Sequence, residues 1–139
     1  MTKKSIIIII VCTFILIAIS VTTVYKEPKI KGIYVSSQNN MPENSILDPL
    51  FSSDSITDIF LLIEAENLKL DNMIEVSWKK YEDGDYIAVQ HDTIYPENSG
   101  SGIITITMVK RNGLVPEGKY RVSVNLVNHP VLTTEFEIE

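Results

Sequence analysis

The stretch GKYRVSVNL, from Gly118 to Leu126, puts Tyr120, Val122, Val124 and Leu126 on one side of an extended chain. Arg121, Ser123 and Asn125 fall on the other. A repeat of two residues marks a β-strand with one face buried and one in water, because successive side chains point to opposite faces. The pattern recurs along the chain. Ile74, Val76 and Trp78 alternate with Glu75, Ser77 and Lys79; Ile104, Ile106 and Met108 with Thr105 and Thr107; Phe136 and Ile138 with Glu135 and Glu137. Turn-forming residues separate these runs at Asp83-Gly84, Asn98-Ser99-Gly100, Asn112-Gly113, Pro116-Glu117-Gly118 and Asn128-His129-Pro130. About seven strands are predicted, near 29–36, 58–66, 73–81, 86–91, 102–110, 119–127 and 131–138. No helical period competes with them. The fold class expected is all-β, an antiparallel β-sandwich.

One segment fits no strand. Residues 38–57, QNNMPENSILDPLFSSDSIT, are too many for a hairpin turn and rich in Asn, Ser, Asp and Pro. Leu50 and Phe51 are its expected anchors, tucked against an edge of the sandwich. The pairs Lys79-Lys80 and Lys110-Arg111 read as charges that keep strand edges from pairing with other chains.

Upstream of the strands the composition changes. Ser5 to Val24 is uncharged and mainly apolar for 20 residues, preceded by Lys3 and Lys4 and followed by Lys26 and Lys29. As a helix it would measure about 30 Å at roughly 1.5 Å per residue, enough to cross a bilayer. Residues 1–25 are thus expected to be an N-terminal membrane anchor or signal peptide, and residues 26–139 the exported domain. Cys12 is the only cysteine. A lipoprotein signal needs a small residue before its cysteine, whereas Val11 stands there and the apolar run continues beyond. Ala18-Ile19-Ser20 has the small residues of an A-x-A-like cleavage site. The sequence therefore allows secretion after a cut near Ser20, while the length of the span favours a retained single-pass anchor through residues 5–24, with the C-terminal domain outside the cytoplasm.

Charge narrows the partners. All 18 acidic residues lie beyond Tyr25 together with ten of the 12 basic ones, a net charge of −8 for that part. Such a domain repels nucleic acid. With no cysteine it has neither an internal disulfide nor a cysteine-based zinc site.

Three motifs together resemble an immunoglobulin-like sandwich: VSW (Val76 to Trp78), GKYRVSV (Gly118 to Val124) and EFEIE (Glu135 to Glu139). More narrowly, Phe51 to Glu139, about two-thirds of the chain, is similar to small exported immunoglobulin-like domains of prokaryotic envelope proteins, a group without an assigned function. The resemblance implies that Trp78 fills the core from the third strand and that Tyr120 hydrogen-bonds back across the corner before its own. Phe136 completes the implied structural core. The cysteines of antibody domains are absent.

Chemistry-bearing residues are few. His91 and His129 are the only histidines, with no cysteine and no G-x-S-x-G motif in the domain to pair with them. Glu82, Asp83 and Asp85 around Gly84 are weak candidates for a metal site, yet an Asp-Gly hairpin accounts for them. Phe60, Leu62 and Ile103 fall on the faces expected to be wet, as do Val109 and Val127, and are weak candidates for a binding surface. The other explanation is cover from Leu50 and Phe51, or strands buried on both faces. The expectation is a non-enzymatic, membrane-tethered, extracytoplasmic interaction module of the cell envelope, without cofactor, meeting an envelope protein or glycan. The alternative is an inhibitor of an extracellular protease acting through end loops such as PENSILDPLF or YPENSGSG; a hydrolase is a distant third.

Overall fold

The computed structural model describes residues 26–42 and 49–139. The described residues contain no helix and eight strands: β1 (Lys29–Ser36), β2 (Leu50–Phe51), β3 (Phe60–Leu68), β4 (Ile74–Glu82), β5 (Asp85–Ile94), β6 (Gly100–Thr107), β7 (Gly118–Leu126) and β8 (Leu132–Ile138). They form a three-stranded sheet in the order β1-β3-β6 and a five-stranded sheet in the order β2-β8-β7-β4-β5. This all-β architecture is compatible with a β-sandwich. All seven strands expected from the alternation are present, with β5 reaching Ile94 instead of stopping at residue 91. Their pairings are antiparallel. The eighth strand, β2, lies within the long segment and pairs parallel to β8. The helix expected over residues 5–24 lies outside the described residues.

Local chemistry sets the turns. Asp83 and Gly84 have φ of 53° and 94°, joining Glu82 to its cross-strand partner Asp85. Two successive residues with positive φ give a hairpin turn whose twist matches that of the strands. Asn112 and Gly113 repeat the arrangement, at 53° and 77°, between Arg111 and Leu114.

The apolar sides of the alternating strands meet in one core. Trp78, Val122 and Val124 are fully buried, as are Leu61 and Ile63 from the facing sheet. Phe136 is the centre of an aromatic group. It stacks on Tyr120 at 5.1 Å and meets Trp78 and Phe51 edge-on, each at 6.2 Å. Rings at such separations prefer these offset or edge-on geometries, since they bring a positive edge to a negative face. Tyr120 is buried, yet its hydroxyl donates to the carbonyl of Pro116 at 2.6 Å, so the polar tip is satisfied. Burial pushes its ionisation up to about 12.

The strand order corrects two expectations. Phe51 does anchor the long segment, but Leu50 beside it is exposed, because the two successive residues of β2 point to opposite faces and only one meets the core. Lys79 and Lys80 do not guard an edge. They lie on β4, which is held between β5 and β7.

The register also sorts the loops into two ends. Residues 26–28, 69–73, 95–99 and 127–131 lie at one end, where β1 begins; this is the N-terminal end. The 83–84 turn, the 108–117 connection, β2 and Glu139 lie at the opposite end.

Candidate interaction site at the open edge

On one side of the fold the short strand β2 pairs along β8 at the end of the five-stranded sheet. On the other side β5 and β6 are the terminal strands of their sheets and do not pair with one another. A groove of about 870 Å³ lies between them, lined along β5 from His91 to Ile94, through the 95–99 loop, and along β6 to Thr107.

A bulge in β5 shapes one wall. Trp78 pairs with Gln90 and Lys79 with Ala88, leaving Val89 as an extra residue that packs on the core. An extra residue reverses the alternation beyond it. Gln90 and Asp92 consequently share the inward face with Trp78 and Val76. The Trp78 indole donates to Asp92 Oδ2 at 3.2 Å, and Gln90 Nε2 donates to the same oxygen at 2.8 Å. Gln90 then reaches the other sheet, where its amide accepts from the Val109 backbone N–H at 2.7 Å and donates to the Thr107 carbonyl at 3.3 Å. A side-chain amide thus replaces a peptide group and ties β5 to the end of β6. The groove opens between this tie and the 95–99 loop.

The two other long edges and β6 differ in charge. β1 carries Lys29 and Lys31, which pair with Glu66 and Glu64 of β3 at 3.1 and 3.2 Å. The Glu64 hydrogen bond raises the Lys31 pKa, and the Lys29 hydrogen bond lowers that of Glu66. β5 carries Asp85, His91 and Asp92 as well as its bulge. From Asn98 to Val109 there is neither a charge nor a proline. Charge, proline and bulges are the usual means of blunting an edge; β6 has neither charge nor proline, and the one irregularity in its pairing with β3 lies at its start, between Gly100 and Gly102.

Phe60, Leu62 and Ile103 all lie on the outer face of the three-stranded sheet. Ile103 pairs with Glu64, Leu62 with Thr105 and Phe60 with Thr107. They are not equally accessible. Ile103 is 51 % exposed, Phe60 is half-buried and Leu62 is 1 % exposed on the central strand β3. Leu62 has no surface to offer, and Leu50 and Phe51 are not its cover, since β2 belongs to the other sheet. Val109 is exposed and Val127 half-buried.

The other candidates are dispersed. Glu82 pairs with Lys80 at 3.4 Å, and Asp85 accepts from the Tyr86 backbone N–H at 2.7 Å, so these carboxylates serve the hairpin. Among the described residues no group of three or more His, Cys, Asp or Glu side chains is placed to hold a metal ion. His91 stands mid-strand opposite Ser77, whereas His129 occupies the β7–β8 turn, 4.0 Å from Glu27, and the fold does not bring them together. Of the end loops, residues 50–51 are paired along β8, and residues 43–48 lie outside the described residues.

The sequence reading missed a second polar and aromatic surface, on the outer face of the five-stranded sheet. Tyr81 and Tyr86, cross-strand partners, meet edge-on at 5.2 Å. The Arg121 guanidinium lies 3.9 Å from the centre of the Tyr86 ring and binds Glu135 through Nε at 2.8 Å and through Nη2. That carboxylate, through its hydrogen bond first, raises the Arg121 pKa; Tyr86 is raised by desolvation first and then by Glu135. The signal for this pair was the Asp83-Gly84 turn, which fixes residues 81 and 86 as neighbours.

No family model matches the chain, and no curated protein matches it. Among solved structures it is similar to a β-glucosidase from Listeria innocua in complex with glucose, at 12% identity and a TM-score of 0.45. The match covers 82% of this chain and 16% of that one, so the chain spans a small part of that structure's length. A likeness of this degree carries no argument about fold or activity.

Proposed function

We propose that the chain is a non-enzymatic interaction module of the cell envelope, tethered by residues 5–24, with an immunoglobulin-like domain outside the cytoplasm. The immunoglobulin-like reading is supported by the strand order. β1 lies in one sheet, and β2, the next strand along the chain, joins the other sheet parallel to β8. Trp78 in the core of β4 and the Tyr120 bond to Pro116 at the head of β7 add to it.

The observation that carries the interaction reading is the β6 edge. Gly102 to Ile106 offers unpaired peptide groups on one side, no charge, and an exposed Ile103, up to the Thr107 carbonyl that Gln90 occupies. Elsewhere the domain is acidic, and an acidic surface resists association with most acidic proteins. Peptide groups on a free edge recognise another extended backbone, with side chains at alternate positions adding selectivity. The partner class favoured is therefore an extended segment of an envelope protein.

The test is site-specific photo-crosslinking of the full chain in its native envelope, with the reactive residue at Ile103 or, as a control, at Leu114. An adduct with a distinct protein at Ile103 and none at Leu114 is expected. Equal adducts at both positions, or none at either, would overturn the reading.

A further inference from the structure

Three of the four segments at the N-terminal end each expose a large apolar side chain. Leu70 in the β3–β4 turn is 60 % exposed, Tyr95 in the β5–β6 loop 56 % and Val131 beside the β7–β8 turn 57 %. Hydrogen bonds join these segments into one platform. The Tyr95 hydroxyl donates to Met73 Sδ at 3.3 Å, and the Val127 N–H donates to the Met73 carbonyl at 3.1 Å. Within its own turn Lys69 donates to Asn72 Oδ1 at 2.7 Å, and Asn72 returns a bond to the Lys69 carbonyl at 3.0 Å. The start of the described chain is fastened to the same platform, since Asn67 Nδ2 donates to the Glu27 carbonyl at 3.4 Å and Pro28 is buried.

The distance to the apolar segment is short. From Val24 to Glu27 are three residue steps, about 10 Å at roughly 3.3 Å per residue. The headgroup layer of one leaflet is itself about 5–8 Å deep, half the difference between the full bilayer and its hydrocarbon core. A domain fastened at Glu27 can therefore stand at most about 5 Å beyond that layer. We infer that the N-terminal end of the domain rests on the bilayer surface, with Leu70, Tyr95 and Val131 in the headgroup region. This inference rests on the anchor reading of residues 5–24.

The chemistry of the platform fits an interface more than a polar stalk. Tyrosine carries an apolar ring and a polar tip, the combination favoured at membrane surfaces. Charges in the four segments nearly balance, with Lys26 and Lys69 against Glu27, Asp71 and Glu97. The contact is thus with lipid of no net charge and owes little to electrostatic attraction. The opposite end exposes Ile87, Val109 and Leu114. Those residues are equally apolar, but the length of the domain separates them from the tether, and they serve as an internal control.

The test uses the full chain with Cys12→Ser and one new cysteine, from Leu70→Cys, Val131→Cys or Leu114→Cys, bearing an environment-sensitive fluorophore in phosphatidylcholine vesicles. At positions 70 and 131 the emission is expected to shift to the blue and to be quenched by brominated phosphatidylcholine, unchanged at high salt. At position 114 it is expected to resemble the dye in water. Labels in water at all three positions, on a chain that floats with the vesicles, would overturn the inference and leave the anchor standing. Equal quenching at all three, or quenching lost at high salt, would also overturn it. Failure of the chain to float would overturn the anchor and the inference together.

Discussion

The Tyr120 hydroxyl donates to the Pro116 carbonyl at 2.6 Å, so the first turn of β7 is fixed to the corner that precedes it by a bond made within the buried ring's own reach. Tyr120→Phe keeps the stack on Phe136 and removes only this bond. A hydrogen bond of this kind is worth about 1 kcal/mol net, and somewhat more when its loss strands a partner away from water. The urea midpoint should fall accordingly with an unchanged slope, because the surface exposed on unfolding is the same.

The same ring gives the stability a pH dependence. Burial holds the folded Tyr120 ionisation at about 12, above its value of 10.0 in the open chain. The folded state therefore keeps a proton that the unfolded state has lost. This contribution is fully present below pH 10 and is lost as pH rises from there through 12. Denaturation curves at stepped alkaline pH should show the wild type losing stability faster than Tyr120→Phe over that window. Parallel curves would remove Tyr120 from the account, since the other tyrosines and lysines are common to both proteins.

Gln90 joins the two sheets at the open side through its bonds to Val109 and Thr107. Gln90→Ala deletes both and leaves the Val109 N–H facing the groove. The bond to Asp92 goes with them, so the expected cost is about 2–3 kcal/mol, for three net hydrogen bonds at a half-exposed position. Amide hydrogen exchange measures it directly, and the protection of Val109 should drop further than that of the core amides of Val122 or Val124. A uniform fall across the domain would instead mean that Gln90 contributes to the fold only globally.

Gly118 opens β7 with φ of 139°, a region that side chains rarely adopt, and an added Cβ would stand 2.7 Å from Lys80 Cε. Two effects thus compete in Gly118→Ala. Lys80 can swing its flexible end aside at little cost, whereas the backbone cannot change without moving β7 from β8. Strain of this type costs on the order of 1–3 kcal/mol. Adding Lys80→Ala should therefore restore little of the lost stability. A large recovery in the double variant would show that the contact, not the backbone, was decisive.

How much was legible depended on where each strand sits. β4, β7 and β8 keep one face on the core, so their alternation reads directly from Ile74, Tyr120 and Phe136. β3 is apolar on both faces, and the burial of Leu62 on the outer one follows from a central position that no local pattern encodes. β2 has two residues, too few to carry a period, and its partner lies far along the chain at Glu137 and Ile138. The bulge at Val89 reverses the alternation of β5, which hid the inward turn of Gln90 and Asp92. Ile103 was legible as an apolar residue on a wet face. That its strand is an unpaired edge was not, because an edge is a property of strand order and not of the strand's own residues.

Ile103→Lys tests the edge itself. The side chain is 51 % exposed and stands opposite Glu64, so a lysine there meets water and a carboxylate and should change stability by no more than about 0.5 kcal/mol. Its effect on association should be large by contrast. A charge on an edge must be desolvated before another strand can pair beside it, which is why lysine blunts edges in natural sheets. With the photo-reactive residue moved to the exposed Thr105, the adduct formed in the native envelope should disappear in Ile103→Lys while the urea midpoint holds. An adduct that survives the substitution would place the partner elsewhere, with the Tyr81, Tyr86 and Arg121 face of the other sheet as the next surface to label.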